Sequence, residues 1–171
     1  MDEHKAVAVL LTGVYGSGKS SVAEEIAYLL EQQGQPYALL DLDYLSWAGT
    51  GGGRAEEFGL LLQNLADVVG NYRRAEIGLF VLAYFLRDST ELQALRKAAG
   101  VPLRVARLEV PLADIEQRLT ADITSGRRDD LRQAASSIAA AEGVGLEDVV
   151  ITNDRAIEVV AEELMAFLEW L

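Results

Sequence analysis

Gly13-Val14-Tyr15-Gly16-Ser17-Gly18-Lys19-Ser20 is the stretch of this sequence that decides the fold. It fits the phosphate-binding pattern G-x-x-x-x-G-K-[ST], in which glycines let successive backbone N–H groups face one concavity. An apolar run of strand length at residues 7–11 precedes it, and apolar residues at helical spacing follow over residues 22–30. The pattern requires this context, so the stretch predicts a loop that holds a polyphosphate at a helix N-terminus. A glycine-rich turn without a ligand is the structural alternative.

Within this loop each residue type has a distinct expected task. Lys19 would reach the β- and γ-phosphates, and the Ser20 hydroxyl would ligate Mg²⁺. The other nucleotide contacts are expected from Gly13, Tyr15, Gly16, Ser17, Gly18 and Ser21. The glycine spacing G-x-x-G-x-G does not match the dinucleotide fingerprint G-x-G-x-x-G, so a dinucleotide is not the expected ligand.

Strand and helix patterns alternate along the whole chain. Further apolar runs predict strands at 37–40, 77–85, 105–110 and 149–152, and a stripe over 58–69 predicts a helix that ends near Gly70. Five alternations predict an α/β fold with three α/β/α layers around a five-stranded parallel sheet. No linker interrupts the pattern, so residues 1–171 are expected to form a single domain.

Composition excludes several function classes. The 171 residues carry a net charge of −12, which repels nucleic acid, and they contain no Cys and one His. Thiolate, zinc-ribbon and iron–sulfur chemistry are therefore excluded. No apolar run approaches the roughly 20 residues that span a bilayer, and residues 1–5 lack a signal peptide's pattern. We expect a cytoplasmic protein that acts without a membrane.

Two carboxylates end the second predicted strand. Asp41 and Asp43 should lie at the sheet edge where the phosphate loop lies, and alternate strand residues share a face. One could hold Mg²⁺, and the other could accept the proton of an attacking hydroxyl. A solvated strand end before a turn is the alternative. Asp88 also follows a predicted strand, but the sequence Ser-Thr-Glu after it predicts that Asp88 caps a helix.

Basic residues near 118–130 suggest a lid over the phosphates. Arg127 and Arg128, in a polar stretch at 122–130 that predicts an exposed loop, could stabilise the charge of a transferring phosphoryl group. Pairing with Asp129 and Asp130 in a solvated loop is the alternative. Tyr44, Trp47 and Phe58 could wall an acceptor pocket, although core packing is the favoured role of Phe58.

The phosphate loop and this order of elements resemble the small P-loop kinases related to nucleoside monophosphate kinases, such as the gluconate, shikimate and adenylylsulfate kinases and chloramphenicol phosphotransferase. The resemblance implies a P-loop NTPase fold with a lid at about 118–130. It also implies an acceptor contact from Asp41 or Asp43, an Arg118 that lies against adenine, lid contacts from Arg127 and Arg128, and an Asn153 loop that borders the base. No complete acceptor motif of these families is present.

Two functions remain open from the sequence. The first is an ATP- and Mg²⁺-dependent kinase that transfers the γ-phosphoryl group to a hydroxyl of a small molecule, with Lys19, Asp41, Asp43, Arg127 and Arg128 as catalytic residues and Ser20 and Asp41 at the metal. The second is a nucleotide-binding regulatory module with little or no transfer activity. Either would act as a monomer or homodimer.

Overall fold

The computed structural model describes residues 6–120 and 125–171, with side chains described for all of these except 125–128. In these ranges five strands form one sheet, in the order β2-β3-β1-β4-β5, and every neighbouring pair is parallel. The strands are β1 (Val7–Thr12), β2 (Tyr37–Asp41), β3 (Leu79–Ala83), β4 (Leu103–Glu109) and β5 (Val149–Thr152). The predicted five-stranded parallel sheet is confirmed.

Six helices cover the sheet within the described ranges. They are α1 (Lys19–Gln32), α2 (Arg54–Arg74), α3 (Ser89–Ala99), α4 (Leu112–Thr120), α5 (Ser125–Ala139) and α6 (Ile157–Leu168). Helices α1 and α6 pack together on one face, and α2 and α3 pack together on the other. None of the described helices has both the length and the apolar character needed to span a membrane.

The central strands are buried on both faces, which explains their unalternating apolar sequence. Residues 8–12 of β1 are all buried, with Leu10 contributing to the core under α2 and α3 and Leu11 to the core under α1 and α6. Since β1 lies between β3 and β4, the chain reverses its direction across the sheet there. Such switch points leave a crevice at the carboxyl ends of the strands, and the phosphate loop follows β1 at this crevice.

Several local expectations were wrong in their boundaries. Helix α2 starts at Arg54 and passes through Gly70 to Arg74. The stretch expected to be an exposed loop at 122–130 is helical from Ser125, so α5 begins earlier than its sparse apolar residues indicate. Asp43 lies in a short 3₁₀ helix (Leu42–Leu45), because β2 ends at Asp41. The predicted cap is present, since the Asp88 carboxylate accepts the Glu91 N–H at 2.9 Å.

Helices α4 and α5 pack on each other at the edge of the crevice. Their buried residues Ile115, Leu119 and Ala134 form a small third core, against which Val14 and Tyr15 of the phosphate loop pack. This contact connects the phosphate loop to the two helices that carry the expected adenine and lid residues.

Candidate active site

The phosphate loop enters helix α1 through Gly18, which has a left-handed conformation with φ of 90°. A Cβ at this position would clash with the side-chain amide of Asn153, so glycine allows this close approach. The first amides of α1, from Lys19 onwards, have no acceptor within the helix and contribute the positive end of its dipole. An anion-binding cradle is the consequence.

Two residues from the second half of the chain, Asn153 and Arg118, hold this loop in place. The buried Asn153, just after β5, donates from its side-chain amide to the Ser17 carbonyl at 2.7 Å. Arg118 of α4 donates to the Gly16 carbonyl at 3.2 Å and to the Asn153 carbonyl at 2.8 Å. Both residues were expected to meet the nucleotide base, and both line the cleft while they bind the phosphate loop.

Lys19 lies across its own loop. Its ammonium donates to the carbonyls of Gly13 at 2.9 Å and Val14 at 3.2 Å, and it stands 5.5 Å from the centre of the Tyr15 ring. Burial lowers the pKa of Lys19 to about 8, although Asp43 and Asp41 act in the opposite direction. The lysine is thus a desolvated cation held at the base of the cleft.

The two strand-end carboxylates face this cation. Asp41 accepts from the Ser20 hydroxyl at 2.9 Å through one oxygen and from the Asp43 N–H at 3.2 Å through the other. Burial, and then the neighbouring Asp41 charge, raise the pKa of Asp43. The expectation that both lie at one edge is met, but a 3₁₀ turn capped by Asp41 brings Asp43 there, rather than strand alternation.

These residues share one cleft of about 940 Å³. It is lined by ten of the predicted site residues: Tyr15, Gly16, Gly18, Lys19, Ser20, Ser21, Asp41, Asp43, Arg118 and Asn153. Gly13 and Ser17 do not line it, and Ser17 is fully buried with its N–H bound to the Val14 carbonyl at 3.1 Å. The side chains of Arg127 and Arg128 lie outside the described part of the structure.

The cleft is also lined by aromatic residues that were expected at an acceptor pocket and by residues that were not predicted. Tyr44 and Trp47, expected as walls of an acceptor pocket, stack on each other with ring centres 5.4 Å apart and line it. Phe58 stacks instead on Tyr84 and packs against the core. Asp130 and Ile157 line the cleft without having been predicted. Recognition of α5 from Ser125 onwards would have placed Asp130 on a helix beside the cleft.

A strand, a glycine-rich phosphate loop, a helix and this strand order define the class of P-loop nucleotide-binding proteins. A family model of adenylylsulphate kinase matches residues 5–48, which include the phosphate loop and the strand-end carboxylates. No match was found among curated proteins.

Solved structures extend the likeness over the whole chain. The APS kinase of Mycobacterium tuberculosis in complex with AMPPNP and APS is 26% identical, with a TM-score of 0.61 and coverage of 96% of this chain and 98% of that one. A gluconokinase from Sinorhizobium meliloti 1021 is 20% identical, with a TM-score of 0.62 and coverage of 95% and 91%. A shikimate kinase from Bacteroides thetaiotaomicron is 18% identical, with a TM-score of 0.66 and coverage of 95% and 98%.

These comparisons confirm the resemblance predicted from the sequence. In fold and phosphate loop the chain is similar to the P-loop small-molecule kinases.

Proposed function

We propose that the protein transfers the γ-phosphoryl group of ATP to a hydroxyl of a small molecule. The observation that carries this proposal is the meeting of Lys19, Ser20, Asp41 and Asp43 in one cleft, with the Ser20 hydroxyl 2.9 Å from the Asp41 carboxylate. A P-loop protein that only binds nucleotide has no need for a second carboxylate beside the phosphate cradle. Asp43 supplies that carboxylate.

The donor set fits Mg²⁺. A hydroxyl and a carboxylate side by side are hard oxygen ligands of the type that Mg²⁺ takes together with water and phosphate. Ser20 would ligate the ion, and Asp41 would hold it directly or through water. When bound with ATP, the ion neutralises charge on the β- and γ-phosphates.

The two carboxylates differ in a way that assigns their tasks. Asp41 is already engaged by Ser20 and by the Asp43 N–H, whereas burial raises the pKa of Asp43 towards the range of a useful base. Asp43 therefore orients the acceptor hydroxyl and takes its proton, while Asp41 acts on the metal side. The stacked Tyr44 and Trp47 line the same cleft, and we place the entry of the acceptor beside them.

The cations act on the phosphates. Lys19 moves from the Gly13 and Val14 carbonyls to the β- and γ-phosphates, which offer stronger, charge-assisted hydrogen bonds. Arg118 adds a guanidinium beside the loop at Gly16. Arg127 and Arg128 remain proposed phosphate contacts, because they belong to α5, whose Asp130 lines the cleft.

The substitution Asp43→Asn distinguishes the proposed kinase function from that of a nucleotide-binding module. We expect phosphoryl transfer to fall about 10²–10⁴-fold, since the amide cannot accept the acceptor's proton, with nucleotide affinity nearly unchanged. Asp41→Asn should instead raise the Mg²⁺ concentration needed for half-maximal ADP release. The measurement is ADP release against a panel of sugars, sugar acids, nucleosides and antibiotics, with Asp67→Asn on the exposed side of α2 as the matched control.

Failure to find acceptor-stimulated ADP release in the wild type across that panel would contradict the kinase proposal. The regulatory module would be favoured if transfer stays negligible, both Asp variants keep all other measurable function, and only a Lys19 variant loses it.

Nucleotide affinity should depend on pH through Lys19. Its pKa of about 8 in the free protein means that the ammonium loses its proton above that pH, while bound phosphates favour the charged form. Binding therefore takes up a proton, and ADP affinity should weaken by about one order of magnitude from pH 7.5 to 9. Tyr15, whose pKa burial raises, stays neutral across this window.

Isothermal titration in buffers of different ionisation enthalpy measures this proton uptake directly. Lys19→Arg is the control, since a guanidinium stays charged and should give a flat profile. A wild-type affinity that is equally flat would show that Lys19 is fully charged before nucleotide binds.

A further inference from the structure

A second cavity, of about 470 Å³, is lined by a different set of described residues from the nucleotide cleft, including Gly13 and Val14 at the start of the phosphate loop. The ends of β1, β3 and β4, the start of α4 and the C-terminal end of α5 with the following turn enclose it. Its volume is in the range of small-molecule sites. Most of its lining is apolar, including Phe85, Leu108, Val110, Leu112, Ile138 and Val144.

Three of these apolar side chains are exposed in the described structure. Leu112 is 38% exposed, Ile138 42% and Val144 54%, and they come from α4, α5 and the turn after α5. Large apolar side chains that converge on one concave surface gain free energy when a ligand covers them. The cavity is therefore suited to an apolar ligand.

The charges at the cavity disfavour an anionic ligand. Among the described residues, Arg107 is the one guanidinium in its lining, and it is already paired with Glu109 at 2.7 Å and with Glu147 at 3.1 Å. Glu142 also lines the cavity, where it accepts from the Ser137 hydroxyl at 2.8 Å and lies 4.0 Å from Arg87 Nε. A carboxylate or phosphate on the ligand would meet these acids, and the paired Arg107 has a buried Nε without a hydrogen-bond partner among the described residues.

The cavity is joined to the nucleotide cleft through the phosphate loop. Gly13 and Val14 line the cavity, and their carbonyls accept from the Lys19 ammonium in the cleft. Phe85 of the cavity and Tyr15 of the cleft form a ring pair with centres 6.2 Å apart. Helix α5 contributes Ile138 to the cavity and Asp130 to the cleft.

We propose that this cavity binds an uncharged, largely apolar small molecule, and that its occupancy alters the phosphate loop. Asp43 and the other residues proposed to act on the acceptor line the nucleotide cleft and not this cavity, so the molecule would be an effector of nucleotide binding. This inference does not depend on the proposed function.

The probe is naphthalen-2-ylmethanol, with 2-naphthoate as the charged counterpart of the same size. Saturation-transfer NMR should detect the alcohol on the wild-type protein, and the naphthoate should bind at least tenfold more weakly. Ile138→Trp should fill the cavity and abolish the alcohol signal. Val159→Trp, at an exposed apolar position of α6 outside the cavity, should keep the signal.

A second variant that fills the cavity shows whether loss of the alcohol signal is caused by a folding defect. Leu112→Trp, at an exposed position in the first turn of α4, should abolish the signal in the same way while ADP still binds. Equal binding of alcohol and naphthoate, or an alcohol signal that persists in both Trp variants of the cavity, would overturn the proposal.

A further measurement tests the effect on the phosphate loop. Binding of the alcohol should change the affinity of the protein for a fluorescent ADP analogue. An unchanged affinity, with the alcohol bound, would overturn the link to the phosphate loop. Lys19→Met should still bind the alcohol, so loss of the kinase activity and loss of this site are separable.

Discussion

Lys19→Met is expected to reduce phosphoryl transfer about 10²–10³-fold, the usual effect of removing one preorganised charge from a developing transition state. Methionine keeps much of the length and apolar volume of the side chain but removes the ammonium. The lost contacts are those that the ammonium would make with the β- and γ-phosphates, so ADP affinity should fall as well. Acceptor-stimulated ADP release and titration calorimetry measure the two effects.

The same substitution should not destabilise the fold at pH 7. Burial lowers the pKa of Lys19 to about 8, so the charged form is less favourable in the folded protein than in the unfolded chain. For a base with a lowered folded pKa, stability rises as pH increases from about 8 towards the unfolded value. Methionine removes the cost of the buried charge, and the thermal midpoint of the variant should equal or exceed that of the wild type.

A drop in thermal midpoint that parallels the loss of ADP affinity would assign Lys19 a structural task, through its bonds to the Gly13 and Val14 carbonyls. Lys97→Met is the matched control, because Lys97 belongs to the last turn of α3, away from the residues of the cleft. It should change neither transfer nor affinity.

The parts of this site that are local in sequence could be predicted from it. The phosphate loop occupies eight consecutive residues whose types dictate both the turn and the ligand chemistry. The strand that precedes it is apolar throughout because both of its faces are buried, and a run of this length before a glycine-rich turn is typical of a central parallel strand. The sheet follows from five repetitions of the same pattern.

The position of Asp43 is predicted correctly, but for the wrong reason. Alternation along a strand was expected to aim it at the cleft, yet β2 ends at Asp41, and the Asp41 carboxylate accepts the Asp43 N–H. This capping bond starts a 3₁₀ turn that brings Asp43 to the cleft. The sequence Asp41-Leu42-Asp43 is compatible both with a continued strand and with a turn capped by Asp41. The sequence alone therefore does not distinguish these two conformations.

The second cavity could not have been predicted, because its lining comes from segments that are far apart in the chain. Thr12, Phe85, Leu108 and Ile138 each have an ordinary place in a strand, a strand end or a helix. The shape of the space between them depends on how α5 packs against α4. Helix α5 is mostly polar, and its beginning carries little apolar pattern, which is also why the sequence predicts a loop around Ser125.

Gly13→Ala should destabilise the protein by about 3 kcal/mol, the sum of backbone strain and overpacking. Gly13 has a φ of +142°, a backbone conformation that residues with a side chain rarely adopt. An added Cβ would lie 2.7 Å from the Leu108 carbonyl oxygen. That oxygen belongs to the backbone of β4, a paired central strand, and cannot move aside as a flexible side chain would. Urea unfolding measures the change in free energy.

Gly59→Ala is the control for this substitution. Gly59 lies inside α2 with nothing within 4 Å of an added Cβ, so alanine there should stabilise the helix by about 0.5–1 kcal/mol. If the two substitutions change the free energy of unfolding in opposite directions, the loss at Gly13 is due to the conformation of the phosphate loop. The general effect of glycine on chain entropy would give the same direction at both positions. A Gly13→Ala protein as stable as the wild type would contradict the loop conformation described above.

The functional effect of Gly13→Ala should exceed what its stability alone explains. The Gly13 carbonyl accepts a hydrogen bond from the Lys19 ammonium at 2.9 Å, and Gly13 also lines the second cavity. A shift of this residue therefore displaces the cation in the cleft and deforms the cavity wall together. ADP affinity measured well below the unfolding temperature should fall even though the protein is folded, because the cradle depends on a backbone path that only glycine takes without strain.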